Sequence, residues 1–383
     1  MSPYHLVFAF LLFGAIIEYW QKKTPKWMLY LSFGVMTLML CLRFGQGTDY
    51  TAYRMIFYTM PTSVSGMLSY RYAKAEIGWR VMTMLLRRLS VPFELFVFVL
   101  SALQMWMLWR FVKRFCKNKM LALFLGYHTL YLTYLFSAMR QGTVIILFLG
   151  LLLPWLLEGK WVRYCLAAAA LMTIHSVALI LFVPVVVLSI RLSVEKIIAC
   201  VLVGFCLGTL LSIFGVGNIL SAIGVSYAGE SDISLVALVE RIASFILVSY
   251  MYYLYSDGMA PSEDDSYFKL FKIYAFGILI YGLLMWSPLI SSRTIYALKV
   301  LEIPLIATCI DKCRKGRSIV ILYCALLCTV LYVKNIDSCI TQVQYVNTSV
   351  LNYPYYSIWD KEACIAGRET SSRYYEWLYR TQR

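Results

Sequence analysis

The fold is decided by residues 120–157, which read MLALFLGYHTLYLTYLFSAMRQGTVIILFLGLLLPWLL. As one helix, this block would be about 57 Å long at a rise of roughly 1.5 Å per residue, almost twice the roughly 30 Å of hydrocarbon in a bilayer. The block must therefore break, and its only polar point near the middle is residues 137–142, Ser-Ala-Met-Arg-Gln-Gly. Because backbone groups in lipid must be satisfied within a helix, the block predicts two membrane helices joined at that point.

The composition of the whole chain agrees with this prediction. Of its 383 residues, 61% are hydrophobic and 14% are charged, and the mean hydropathy is +0.71. This balance is typical of an all-α, polytopic membrane bundle and excludes an ordinary soluble domain. A net charge of +15 would suggest nucleic acid in a soluble protein. Here the basic residues lie mostly in short loops, where they signal orientation, so no nucleic-acid partner is predicted.

The eleven cysteines are scattered, and several lie inside apolar runs, where cysteine packs as a small apolar side chain. No CxxC pair and no metal-ligand spacing occurs, so neither a metal site nor a cofactor is predicted. The first apolar run has no Lys or Arg before it and no small-residue cleavage site after it. It is therefore predicted to be a retained anchor rather than a signal peptide.

Loop charge gives the orientation of the helices. The basic loops, at residues 21–26, 113–119, 160–163 and 312–317, are placed in the cytoplasm by the positive-inside rule. The N-terminus is then outside, and residues 43–76 form an external loop. The segment that follows, from Glu76 to Leu89, has the apolar spacing of a helix lying in the interface plane.

A second long apolar block, residues 161–190, is also too long for one span. It is split at residues 173–176, because as one span it would place every later basic loop outside. The result is a single membrane domain, residues 1–383, of about twelve helices, some of them short or broken. Its C-terminal tail, residues 334–383, is predicted to be external.

This topology uses only hydropathy and loop charge, yet it gathers six ionisable residues on the outer face: Arg43, Asp49, Glu76, Arg140, His175 and Arg293. Ionisable groups at membrane depth are costly and usually have a use. Guanidinium groups match the oxygens of a phosphate or diphosphate. Asp49, Glu76 or His175 could take a proton from a hydroxyl nucleophile.

Each of these residues also has an ordinary structural interpretation. Asp49 could cap a turn, and Arg140 and Arg293 could reach lipid headgroups. His175 could be a hydrogen-bonded packing residue, and Glu76 could be only the N-terminal charge of its helix. Aromatic residues of the tail, Tyr353 to Trp359 and Tyr374 to Trp377, could stack on sugars or form an interfacial belt.

At these motifs the chain resembles the EpsG family of bacterial exopolysaccharide proteins, which are Wzy-like polysaccharide polymerases. The motifs that carry the resemblance are Arg43 with Gly47-Thr48-Asp49-Tyr50 and Tyr53, Glu76-Ile77-Gly78-Trp79, Ala138-Met139-Arg140-Gln141-Gly142, Ile174-His175-Ser176, Arg293 after Pro288, and Tyr353-Pro354-Tyr355-Tyr356. They reach across most of the chain. The family often has proline where this chain has Ile77.

The resemblance implies a bacterial inner-membrane enzyme that polymerises oligosaccharide repeat units linked to undecaprenyl diphosphate, for an O-antigen, exopolysaccharide or capsule. It implies metal-independent glycosyl transfer on the outer, periplasmic or extracellular face, and a fold related to C-type membrane glycosyltransferases. Membrane lipid is a further partner, and a chain-length regulator protein is compatible with this function.

Residue by residue, the resemblance implies catalytic roles for Asp49 or His175. Substrate-binding roles are implied for Arg43, Tyr50, Tyr53, Glu76, Arg140, Gln141 and Arg293. Two other functions fit the same residues. A flippase for the lipid-linked repeat predicts polar groups along a path at the bilayer midplane, and a glycan ligase predicts the same chemistry with a different acceptor.

Overall fold

The computed structural model describes residues 2–70, 75–222, 235–256, 262–313, 316–343 and 345–368. The regular secondary structure of the described residues is helical. Two isolated β-bridges also occur, one between Arg43 and Ser357 and one between Tyr345 and Arg368. The α-helices, in chain order, are α1 (Pro3–Gln21), α2 (Lys26–Leu42), α3 (Tyr50–Thr59), α4 (Val64–Ser69), α5 (Ile77–Arg88), α6 (Phe93–Phe115), α7 (Lys119–Gly126), α8 (Met139–Leu147), α9 (Leu153–Leu157), α10 (Trp161–Met172), α11 (Val183–Ser189), α12 (Val194–Ile213), α13 (Val216–Ala222), α14 (Leu235–Tyr255), α15 (Ser266–Leu283), α16 (Pro288–Lys299), α17 (Glu302–Cys309), α18 (Arg317–Val343) and α19 (Lys361–Ala366).

Seven helical segments among the described residues are long and apolar enough to cross a membrane. They are α1, α6, the run from α8 through α9, α12, α14, α15 and α18. Shorter apolar segments occur at α2, at α10 and at Ser176–Ser189. The chain is therefore an all-helical, multi-pass membrane protein, but the predicted count of twelve membrane helices is not confirmed, because length and composition select seven.

Both predicted breaks are present. In the first block, α7 runs into a π-helical segment, Tyr127–Leu135, and α8 starts only at Met139. In the second block, α10 ends at Met172 and a 3₁₀ segment starts at Ser176. Each break lets the chain reverse, and each places its polar residues at the same end of the bundle.

The predicted cytoplasmic loops meet one another at the opposite end. The Glu18 carboxylate accepts hydrogen bonds from the backbone N–H groups of Lys119 (2.9 Å) and Leu121 (3.0 Å), where it faces the positive end of the α7 dipole. Arg114 pairs with Glu158 at 2.7 Å. The predicted cytoplasmic loops therefore lie together at one end of the bundle, and the two breaks lie at the other, as loop charge predicted.

The tail differs from the predicted boundary. Helix α18 continues to Val343, nine residues beyond Lys334, and the following chain returns to the start of the 43–76 loop. The Phe44 N–H donates to the Tyr356 carbonyl at 2.9 Å, and the Ile358 N–H donates to the Leu42 carbonyl at 2.8 Å. The tail as far as Arg368 is thus part of the folded domain. The predicted aromatic group from Tyr374 to Trp377 lies outside the described residues, as do Arg314 and Lys315 of the last basic loop.

Aromatic tail residues separate into two groups. Tyr353 is buried, and its ring lies 5.1 Å from that of Tyr4, whereas Trp359 is exposed. Tyr353 is therefore a packing residue, and Trp359 is available to an interface.

Candidate functional site

A cavity of about 300 Å³ opens at the end of the bundle where the two breaks lie. We call it the Asp49 cavity. Its lining residues are Thr48, Asp49, Tyr53, Thr133, Tyr134, Ser137, Ala138, Arg140, Gln141, His175, Arg293, Asn335, Ser338, Cys339 and Gln342. Six of the nine residues predicted from the sequence are among them: Asp49, Tyr53, Arg140, Gln141, His175 and Arg293.

Asp49 is brought to the cavity by the tight turn after α2. Gly47 in this turn has φ +94°, and a Cβ atom there would lie 2.6 Å from the Phe136 carbonyl oxygen, so only glycine lets the turn approach the first break so closely. The Asp49 side chain makes no capping hydrogen bond to α3, which removes the turn-capping interpretation. Burial raises the pKa of the Asp49 carboxyl, while Arg293, the Thr48 hydroxyl and Arg140 oppose that rise.

Arg140 is positioned by Glu76, which does not itself line the cavity. One Glu76 oxygen pairs with the Arg140 guanidinium, and the other accepts the Ser176 N–H at 2.8 Å. Although burial opposes it, these two contacts lower the pKa of Glu76 below its ordinary value. Glu76 therefore stays ionised and holds Arg140 over the Tyr53 ring, 5.8 Å from its centroid.

His175 is presented by the turn between α10 and the 3₁₀ segment. Its Nδ1 accepts the Val177 N–H at 3.1 Å, so in the neutral ring the proton is carried by Nε2. Burial lowers the pKa of His175 to about 4, with Arg140 and Arg293 acting in the same direction and Glu76 against it. At neutral pH the imidazole is thus uncharged and offers a hydrogen-bond donor at Nε2.

Arg293 comes from α16 and is exposed. The Gln141 side-chain N–H₂ donates to the Arg293 backbone carbonyl at 2.7 Å, which ties α16 to the first turn of α8. The cavity lining therefore carries two guanidinium groups against the single carboxylate of Asp49. Because Arg140 is already paired with the ionised Glu76 behind the lining, the exposed Arg293 guanidinium is the group most available to an anionic ligand.

Arg43 and Tyr50 do not line the cavity. Arg43 is fully buried, donates to the Leu40 carbonyl and to the Ser101 hydroxyl (3.0 Å), and lies over the Phe136 ring. Tyr50 is also fully buried, with its ring 5.3 Å from that of Phe93. The structure places these two residues in the packing behind the site, so we propose no direct substrate contact for them.

Sequence reasoning missed the wall that α18 contributes. Asn335, Ser338 and Gln342 line the cavity and recur at intervals of three and four residues in a predominantly apolar helix, which places them on one face. Assigning everything after Lys334 to an external tail hid this pattern.

The charged groups of the site suit an anion. Within the part of the chain that the structure describes, no three His, Cys, Asp or Glu side chains cluster in a way that could hold a metal ion. The two guanidinium groups suit phosphate oxygens, which they can bind in a bidentate manner.

The sequence model of the EpsG family matches residues 26–355, which is most of the chain. The chain therefore belongs to the EpsG family, a family of Wzy-like polysaccharide polymerases. No curated protein and no solved structure matches the chain.

Proposed function

We propose that this member of the EpsG family polymerises oligosaccharide repeat units linked to undecaprenyl diphosphate, at the outer face of the bacterial inner membrane. The observation that carries the proposal is the convergence of Asp49, Arg140 and Arg293, from three distant parts of the sequence, on one cavity. The product would be a surface polysaccharide of the exopolysaccharide, O-antigen or capsule class.

In the proposed reaction, the acceptor hydroxyl oxygen attacks the anomeric carbon of the donor glycan. A glycosidic bond forms, and the bond from the anomeric carbon to the diphosphate oxygen breaks. Asp49 takes the hydroxyl proton, and the diphosphate leaves on its lipid with the electron pair of the broken bond. Arg140 and Arg293 stabilise the charge that develops on it, so no metal ion is required.

The choice of Asp49 over His175 as the base rests on the hydrogen bonds at the imidazole. A ring whose Nδ1 already accepts the Val177 N–H has no free lone pair for a proton at neutral pH. It can instead donate from Nε2 to a phosphate or sugar oxygen. His175 is therefore assigned to substrate binding and Asp49 to acceptor activation.

The test uses purified protein in lipid vesicles, supplied with lipid-linked repeat units extracted from the cells that make the polysaccharide, without nucleotide sugars. Wild type is expected to produce a ladder of polymers on a gel. Loss of a donor to developing charge costs about 10²–10³-fold in rate, so Arg293→Ala is expected to lose the ladder, as is Asp49→Asn. Arg88→Ala, at the exposed end of α5, is the matched control.

A normal ladder from Arg293→Ala or Asp49→Asn at wild-type protein levels would remove that residue from the mechanism. Transfer of repeats to a different acceptor would identify a ligase, and translocation without a ladder would identify a flippase. Either result would contradict polymerisation.

The proposal extends to the architecture. Twelve membrane-crossing segments result if α2, α7 with its π-helical continuation, α10, residues 176–189, and α16 with α17 cross together with the seven long segments. A helical bundle with a reaction cavity at its outer end is compatible with the C-type membrane glycosyltransferase fold.

A further inference from the structure

A second cavity, of about 390 Å³, adjoins the first. Thr133, Tyr134 and Asn335 line both cavities. The second one lies among α14, α16, α17, α18 and the π-helical segment, and we call it the Glu302 cavity. A ligand in the Glu302 cavity would therefore contact residues that also line the Asp49 cavity.

Five charged side chains line the Glu302 cavity. Lys334 is exposed, whereas Glu240, Arg241, Lys299 and Glu302 are paired with one another. The Lys299 ammonium lies 2.8 Å from Glu240 and 2.6 Å from Glu302. Arg241 lies 2.6 Å from the second oxygen of Glu240. Within this paired cluster two carboxylates and two cations balance, so the cluster itself favours neither an anion nor a cation, and the exposed Lys334 adds one positive charge to the lining.

The four paired charges belong to apolar helices, where ionisable residues are costly and usually mark a substrate site. An uncharged, strongly polar ligand is the class that such a cluster suits.

Two polar atoms of the cluster have hydrogen-bonding capacity to spare. The Glu302 Oε2 atom and the Arg241 Nε atom are buried and lack a hydrogen-bond partner among the described residues. The first is an acceptor and the second a donor. Buried polar atoms are normally satisfied, and a sugar hydroxyl, which both donates and accepts, could satisfy either of them.

An aromatic pair completes the lining. The rings of Tyr134 and Tyr296 are stacked with centroids 4.0 Å apart, and both residues line the Glu302 cavity. Polar groups beside aromatic surface are the usual composition of a small-molecule site. Since Tyr134 also lines the Asp49 cavity, this pair forms part of the connection between the two.

We infer that the Glu302 cavity binds the glycan of the acceptor repeat unit through its uncharged hydroxyl groups, a role that rests on the proposed polymerase function. With the donor diphosphate held by the arginines of the Asp49 cavity, a glycan held here would have its end at the shared wall. That position is the one from which an acceptor hydroxyl reaches Asp49.

The test measures binding without turnover. The probe is the free oligosaccharide that mild acid releases from the lipid-linked repeat units of the producing cells, which lacks both diphosphate and lipid. Its dissociation constant for the full-length protein in detergent is measured by calorimetry. Wild type is expected to bind it, and Glu302→Gln to bind it about tenfold more weakly, the loss of one hydrogen bond to a charged group.

Glu263→Gln is the matched control. Glu263 pairs with Lys272 at 3.0 Å, outside both cavities, so this change removes a carboxylate from a lysine in the same way and is expected to leave binding unchanged. Thr129→Val is the second variant, because it removes a hydroxyl from the cavity lining without touching an ion pair. The Thr129 hydroxyl is hydrogen-bonded to the imidazole of His128, so the change is expected to weaken binding several-fold and to lower stability by about 1 kcal/mol.

No binding by wild type, or equal binding by wild type, Glu302→Gln and Thr129→Val, would overturn the inference. If such a result accompanied normal ladders, the inference alone would fail. If the oligosaccharide bound as expected but wild type made no ladder, the proposed function would fail and the glycan site would stand.

Discussion

At the residue scale, the central question is how Asp49 and His175 divide the chemistry. Both line the same cavity, and from the sequence either could be the base. Their surroundings separate them, because burial raises the pKa of Asp49 and lowers that of His175 to about 4. The His175 Nδ1 already accepts the Val177 N–H, so Asp49 is the residue of the two that keeps an acceptor oxygen for the proton near neutral pH.

A substitution series at His175 tests this division. His175→Gln keeps an N–H donor near the position of Nε2, so it is expected to retain transfer within a few-fold of wild type. His175→Ala loses the donor and is expected to fall by roughly 10- to 100-fold, the equivalent of about 1.5–3 kcal/mol for a hydrogen bond to a charged group. The measurement is the initial rate of ladder formation. Equal loss in both variants would instead identify His175 as the base.

The pH dependence of transfer tests Asp49 independently. A carboxylate base acts only when ionised, so the rate is expected to fall as the pH falls through the Asp49 pKa. Because burial raises that pKa, the acid limb should lie above about 3.9, the ordinary value for aspartate. The check is a pH–rate profile of wild type beside the residual rate of Asp49→Asn. An unchanged acid limb in the variant would assign the titration to another group.

At the scale of elements, the site depends on the junction between α5 and the His175 turn. The N–H groups of Gly78 and Trp79 both donate to the Thr173 carbonyl, at 2.8 and 3.2 Å. Through this junction the first turn of α5 holds Glu76 against Ser176 and Arg140. Two short sequence motifs about one hundred residues apart are therefore two halves of one contact.

Gly78→Ala tests this junction. A Cβ atom at position 78 would lie 2.2 Å from the Thr173 Oγ1 atom and 2.8 Å from its carbonyl oxygen. We expect the overpacking to cost about 1–3 kcal/mol of stability and to reduce transfer by displacing Glu76. Thermal unfolding in detergent and the ladder assay are the measurements.

Gly34→Ala in α2 is the control for that change. A Cβ atom there meets no atom within 4 Å, and alanine is favoured over glycine in a helix by about 1 kcal/mol. It is expected to be neutral or stabilising. Equal behaviour of the two alanine variants would show that the close approach at Gly78 is not important.

At the scale of the whole molecule, the helical bundle has two ends that carry different chemical groups. One end joins the basic loops through contacts such as Arg114 with Glu158. The other holds the Asp49 cavity and the docked tail. Gln46 connects three parts of that second end, since it accepts the Tyr4 hydroxyl at 2.6 Å and donates to the Pro354 carbonyl at 2.6 Å.

The proposed orientation is tested by cysteine labelling in cells. Thr62, between α3 and α4, and Lys160, between α9 and α10, are both exposed. Thr62→Cys is expected to react with a membrane-impermeant maleimide in intact cells, and Lys160→Cys only after permeabilisation. Wild type supplies the background from its own cysteines, such as the exposed Cys206. The reverse pattern would contradict an outer-face site.

The sequence by itself determined the class of the protein, the two breaks and the segregation of basic loops. These properties follow from the length and polarity of contiguous segments, which the bilayer constrains locally. Short motifs also identified Asp49, Arg140, His175 and Arg293, because charged residues at helix ends in such an apolar chain have few ordinary reasons to occur.

Only the tertiary structure decided which of these residues share a cavity. Arg43 and Arg293 look alike in the sequence, yet the first is buried against Ser101 and the second is exposed. The α18 wall and the charges of the Glu302 cavity depend likewise on partners that lie far away in the chain. The physical reason is that a side chain's function depends on burial and hydrogen-bond partners, and helix packing, not local pattern, supplies both.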